Sequence, residues 1–267
     1  MEQAALTALG SFVVGVFGGS FGVGGGIFLV PWLVWLGLRP VEAVGVSLFC
    51  IIGTSIGASS VALKNGEANL GLSLLLEPVL LLGAVAASLV AARVSDATLL
   101  YAFAAMLVGV GLSLALRGQG RAEGVPPDGA PRFYDGGSAG APYRPQRLWP
   151  TAVAMVSAGL AAGLFGIGGG ALVVPLLAQL GRVPMRAAAA TSTVSLMVTA
   201  GAAAAVHLAQ GTVPLSSVAW ALLGVLPGGL VGARLQSRLS ERLMRRVFAA
   251  LMLLVAASVV WRARGAP

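Results

Sequence analysis

Few residues in this 267-residue chain are able to do chemistry, and they fall in a pattern that occurs twice. The stretches Phe21-Gly22-Val23-Gly24-Gly25-Gly26 and Phe165-Gly166-Ile167-Gly168-Gly169-Gly170 are each followed by Val-Pro, at Val30-Pro31 and Val174-Pro175. At an offset of 144 residues, positions 21–31 and 165–175 agree at seven of eleven places, and Gly15/Gly159, Gly37/Gly181 and Pro40/Pro184 extend the match. The chain therefore carries an internal duplication. A backbone free of side chains lets an anion come close, and the first N–H groups of a helix that starts at such a turn sit at its positive end. Gly22, Gly24, Gly25, Gly26, Gly166, Gly168, Gly169 and Gly170 are the expected substrate-binding residues. The competing reading is that they only permit tight helix crossing, as Gly15-x3-Gly19 and Gly159-x3-Gly163 are expected to do.

Hydroxyls follow each turn. Thr191, Ser195 and Thr199 share one face of a helix at i, i+4 and i+8, and Ser47, Ser55 and Ser59 repeat the stripe in the first half with Ile51 in the gap. Ser47, Thr191 and Ser195 are read as further substrate-binding residues lining a polar path; hydroxyls bonding the carbonyl one turn back would give the same pattern. Glu77, well inside an apolar span and followed by Pro78, and His207, the single histidine, are the candidates for ion coupling. Lone Cys50 has no metal-ligating neighbours, so no metal or other cofactor is expected. One histidine, one cysteine and one intramembrane carboxylate are too few for a catalytic set, and Gly-x4-Gly-Lys-[Ser/Thr] is absent. The expected protein is not an enzyme and draws its energy from gradients.

The elements that must position these residues are apolar. Hydrophobic residues form 57% of the chain and charged residues 10%, with a mean hydropathy of +0.92. That balance exceeds what one soluble core can hide and predicts an all-α polytopic membrane protein whose partner is the lipid bilayer. The net charge of +8 belongs to the ends of apolar runs, so nucleic acid is not an expected partner. Apolar segments are expected over 4–20, 27–38, 41–63, 71–92 and 97–116, then over 148–164, 171–181, 185–209, 214–235 and 243–261. Each half thus opens on a broken or re-entrant Gly-rich helix pair. Residues 1–116 form a first transmembrane repeat, 117–147 a flexible cytoplasmic linker rich in Gly, Pro and charge, and 148–267 a second repeat.

About five segments per half is an odd number, which predicts two repeats of inverted topology. Charge agrees with that count. Lys64, the five arginines of 117–147, Arg182, Arg186, Arg234, Arg238, Arg242, Arg245 and Arg246 then share one side, 13 of the 17 cations. The positive-inside rule makes that side cytoplasmic and puts both termini outside. The sequence leaves oligomeric state open, a homo-oligomer included.

The duplicated Gly-x-Phe-Gly-x-Gly-Gly-Gly with its Val-Pro, followed in the second half by Ala190-Thr191-Ser192, resembles the sulfite exporter TauE/SafE family of bacterial membrane permeases. The resemblance covers 4–116 and 148–261. It implies an inner-membrane secondary transporter, in the export direction, for small anions such as sulfite or organosulfonates, and adds Ser192 to the substrate-binding set. The first copy departs from the motif, reading Gly45-Val46-Ser47 where the second reads Ala189-Ala190-Thr191. Alternating access is the expected mechanism; a passive anion channel or a structural membrane subunit is the alternative.

Overall fold

A computed structural model of the chain describes residues 2–116, 143, 145–236 and 239–264. Most of the expected linker, 117–142 and 144, lies outside the described residues. At its end Tyr143 is buried, and the Gln146 N–H donates to the Gly181 carbonyl at 2.8 Å.

Among the described residues the chain is all-helical, with ten helices at the places the apolar runs predict. They are α1 (Glu2–Phe21), α2 (Gly26–Trp35), α3 (Pro40–Lys64), α4 (Leu70–Ala91) and α5 (Asp96–Leu116), then α6 (Leu148–Phe165), α7 (Gly170–Gln179), α8 (Met185–Ala209), α9 (Leu215–Gln236) and α10 (Glu241–Arg264). Eight of them are long and apolar enough to cross a membrane. The exceptions, α2 and α7, have 10 residues each. Such a helix is about 15 Å long, half of a hydrocarbon layer of about 30 Å. The halves match element for element, and Leu74, Leu82 and Leu116 stand out from the bundle where lipid would meet them.

Glycines decide which helices touch. A methyl group on Gly15 would fall 2.6 Å from the Val225 carbonyl oxygen, and one on Gly224, Gly228 or Gly232 would collide with the carbonyls of Ala8, Phe12 or Val16. Residue numbers rise together along this seam, so α1 and α9 run parallel with their backbones in contact. The equivalent seam joins α6 to α4. A methyl on Gly159 would lie 2.4 Å from the Leu80 oxygen, and one on Gly163 2.2 Å from that of Ala84. Each half thus lends its first helix to the other.

The connections gather at two ends. At one, Arg39 approaches Asp96 at 3.7 Å, Trp35 meets Trp261 edge to face, and Arg262 stands over the Trp35 ring. At the other, the Arg186 guanidinium donates to the Leu239 carbonyl at 2.6 Å, near the Gln146–Gly181 contact. Trp35, Trp149 and Trp261 are exposed near helix ends, as indoles at an interface are. Trp32 is different: its indole nitrogen is buried and packs against Gly10.

Candidate functional site

The two glycine turns meet in the middle of the molecule. Every residue of 21–26 and 165–170 is buried. A methyl on Gly170 would lie 2.6 Å from the Val23 Cα, and methyls on Gly24 and Gly168 would both strike the Ile51 side chain, midway along α3. Leu196, midway along α8, closes the other flank against Gly168 and Gly170. The turns therefore sit at half depth in the bundle, where two ten-residue helices begin.

Gly25 and Gly169 are the N-cap residues of α2 and α7, with φ of 84° and 87°, a left-handed conformation that only glycine adopts without strain. Neither helix receives a side-chain cap at this end. Two positive helix ends thus face the same buried region. Hydroxyls hold the carbonyls beside them. Ser47 donates to the Gly166 oxygen at 2.6 Å, reaching from the first repeat to the second, and Thr54 donates to the Gly24 oxygen at 2.8 Å. Two more hydroxyls, those of Ser55 and Ser192, are buried without a hydrogen-bond partner. Ser55 lies one turn beyond Ile51. Ser192 lies on α8 between Ala189, whose carbonyl faces Gly22, and Leu196.

The remaining candidates stand elsewhere. Thr191, Ser195 and Thr199 turn to α4, where they meet the Asn69 N–H at 3.0 Å, the Ser73 hydroxyl at 2.8 Å and the Glu77 Oε1 at 2.7 Å. His207 is fully buried, with Nε2 3.2 Å from the Gly163 oxygen and Nδ1 3.2 Å from the Thr212 hydroxyl. Both ring nitrogens have partners, and the imidazole ties the end of α8 to α6. At the other end of α4, burial pushes the Glu67 carboxyl above the usual carboxylate range, with Arg186 and Asn65 pulling it back. Among the described residues no group of three His, Cys, Asp or Glu side chains gathers for a metal. An apolar groove of about 480 Å³ opens between α5 and α6, against Leu160, Phe165 and Leu172, and suits a lipid chain better than an anion.

Sequence reasoning missed Thr54, Asn69 and Ser73. Thr54 follows Ser47 at i+7 and so shares its face; Asn69, Ser73 and Glu77 are spaced by four, which is a stripe in the sequence.

The sequence model of the sulfite exporter TauE/SafE family matches residues 7–259, which takes in both turns, both uncapped helices and the α4–α8 seam. The chain belongs to the TauE/SafE family. Its TauE/SafE relatives are named as transporters. It is 26% identical over 274 residues to the "Probable membrane transporter protein YunE" of Bacillus subtilis (strain 168), covering 98% of each chain. It is 30% identical to a "Probable membrane transporter protein" of Xylella fastidiosa (strain Temecula1 / ATCC 700964), over 97% of this chain and 96% of that one. A partial match, 29% identical over 118 residues, reaches the "Probable membrane transporter protein MamO" of Paramagnetospirillum magneticum and covers 18% of it. No solved structure matches this TauE/SafE chain. The family and the eight apolar spans make it a multi-pass membrane transporter.

Proposed function

We propose that the protein is a secondary transporter that carries small anions, sulfite or organosulfonates among them, across the bacterial inner membrane by alternating access. One observation carries this reading: the uncapped N-termini of α2 and α7 converge at half depth, against the face of α8 that carries Ala189, Leu196 and the buried, unpartnered hydroxyl of Ser192. An anion there would take hydrogen bonds from backbone N–H groups and hydroxyls without needing a cationic side chain.

The crossed packing of α1 on α9 and α6 on α4 supports two repeats related by inversion, rocking about the glycine turns. Burial of both turns fits a conformation in which the centre is shut to both ends. A membrane potential negative inside drives an anion outward by about 2.3 kcal/mol per charge per 100 mV, so export is the direction that costs least. The clustering of cations supports a cytoplasmic side at the Arg186–Leu239 end and termini outside.

The test is binding followed by flux. Sulfite, thiosulfate and short sulfonates are screened for a rise in the thermal midpoint of the purified protein, since a ligand bound by the native state alone stabilises it. Ser192→Ala should lower that rise while leaving the unliganded midpoint close to wild type. Reconstituted protein should then accumulate the stabilising anion against its gradient when a second gradient is imposed. Equilibration without accumulation would make it a passive channel, and no response to any anion would favour a structural subunit.

A further inference from the structure

The α4–α8 seam has a polar ladder on one side of the molecule only. Asn69, Ser73 and Glu77 of α4 pair with Thr191, Ser195 and Thr199 of α8, three rungs in register, each joining residues 122 apart. All six side chains are buried. In the duplicated seam the corresponding residues are Pro214, Val218 and Leu222 on α9 and Ser47, Ile51 and Ser55 on α3. There Leu222 packs its methyls on Gly53, and no carboxylate is present. The duplication is thus broken where, among the described residues, the one buried carboxylate stands.

The ladder also has a direction. Its first rung opens toward Tyr143, whose hydroxyl is 3.4 Å from the Asn69 amide nitrogen, and toward half-buried Glu67 beside Arg186. Its last rung ends at Glu77. Beyond it the seam is hydrocarbon, with Ala84, Ala200 and Ala203 buried in one apolar cluster. Polar contact resumes only where Gln210 donates to the Ser88 carbonyl, eleven residues and about 16 Å further along α4.

Glu77 itself is 8% exposed. Thr199 donates to its Oε1, Ser195 faces the same carboxyl, and Oε2 is buried with no partner. Among the described residues no cation answers it. The α6 helix brings it no titratable side chain, α4 has no other, and from α8 come only Arg186, beside Glu67, and His207, held by Gly163 and Thr212. A sodium ion would need several oxygens around it, and beside the carboxyl and its two hydroxyls only the Leu74 carbonyl is left without an N–H, by Pro78. A proton needs one free oxygen, which Oε2 is.

We propose that Glu77 is the proton-carrying group of the transport cycle, loaded along the α4–α8 ladder from the end of the bundle that holds Arg186 and Leu239, and shut off from the opposite end in this conformation. The inference deepens the transport reading and rests on it. Loading forms an O–H bond at Oε2 with a proton from water at that end and discharges the carboxylate, while Thr199 keeps its bond to Oε1. Unloading on the far side reverses both changes once the seam has moved.

The experiment has two arms that need no substrate. Infrared spectra of the purified protein should show a carboxylic-acid C=O band that titrates with pH and is missing in Glu77→Gln. A band unaffected by that substitution, or one abolished by NaCl and not by KCl, would overturn the proton assignment. In a Cys50→Ala background, Ser73→Cys should react with an impermeant thiol reagent from the face that labels Arg242→Cys, and Ala84→Cys from neither face. Reaction of Ser73→Cys from the face that labels Ser95→Cys would overturn the direction. Sulfite flux in proteoliposomes separates the two readings. Flux that keeps its pH dependence in Glu77→Gln sinks the proton role and leaves transport standing, whereas a titrating band without flux of any tested anion sinks the transport reading alone.

Discussion

A methyl group built on Gly26 would lie 2.4 Å from the carbonyl oxygen of Gly166, so the two glycine turns touch backbone to backbone across the repeats. No side chain fits between them. Gly26→Ala and Gly166→Ala should therefore leave little folded protein in the membrane. Gly109→Ala and Gly201→Ala, at helix positions where an added methyl meets nothing within 4 Å, should be neutral or stabilise by up to about 1 kcal/mol. Size-exclusion profiles and thermal midpoints of the four variants check this. A folded, monodisperse Gly166→Ala would mean that the turns are not packed as described.

Enlarging Gly25 or Gly169 is a poor probe of binding for the same reason. Each combines a left-handed φ with a neighbour, Val14 or Ala158, about 3.1 Å from the new Cβ. The hydroxyl deletions Ser55→Ala and Ser192→Ala leave no partner stranded, because neither oxygen has one. Their thermal midpoints should match or exceed that of wild type, since each change removes a buried hydroxyl that has no partner. A large loss on either would show that the hydroxyl is structural.

Labelling tests the orientation. In a Cys50→Ala background Ser95→Cys, exposed at the Arg39–Asp96 end, should react with impermeant thiol reagents in intact cells, and Arg246→Cys only in inverted vesicles. The reverse pattern would invert the whole arrangement.

His207→Ala removes two hydrogen bonds and strands the Gly163 carbonyl, which predicts a loss of about 1–3 kcal/mol. Its pH dependence of flux should match wild type, since the imidazole is a clamp between α6 and α8. A changed pH profile at normal stability would return it to the coupling candidates.

Glu67, between α3 and α4, has its carboxyl raised by burial. A carboxyl held higher in the folded state than in the unfolded one binds its proton more tightly when folded, so stability falls as pH rises from the ordinary carboxylate value of about 4.3 through the raised one. Glu67→Gln should lack that fall. The two thermal midpoints should converge in acid, with the variant the more stable at neutral pH; a variant less stable at neutral pH would show that the Arg186 interaction outweighs the burial.

Much of the fold was legible because helices in a bilayer must satisfy their own backbone, which leaves long apolar runs and their breaks in plain view. The triple glycines marked α2 and α7 as short, and the duplication predicted that what happens at Gly25 happens again at Gly169. Partners across the bundle were not legible. That α1 lies on α9 rests on where Gly15, Gly19, Gly228 and Gly232 project in space, and the spacing of four says only that a close neighbour exists. The hydroxyl stripe of α8 is plain in the sequence, and so is the four-residue spacing of Asn69, Ser73 and Glu77, but that the two face each other follows only from α4 running parallel beside α8. Thr191 and Ser195, expected to line the anion path, bond to that partner.

The exchange of first helices between the halves governs how the chain matures. At about 5–20 residues per second, Gly229 leaves the ribosome on the order of 10–40 s after Gly19, the residue it packs against. Through that interval the glycine groove of α1 faces lipid, and the groove of α4 waits likewise for α6. A polypeptide ending before α6 would display both grooves unfilled to the proteases that survey the membrane and should be short-lived, while two polypeptides cut within 117–142 and made together would each supply what the other lacks.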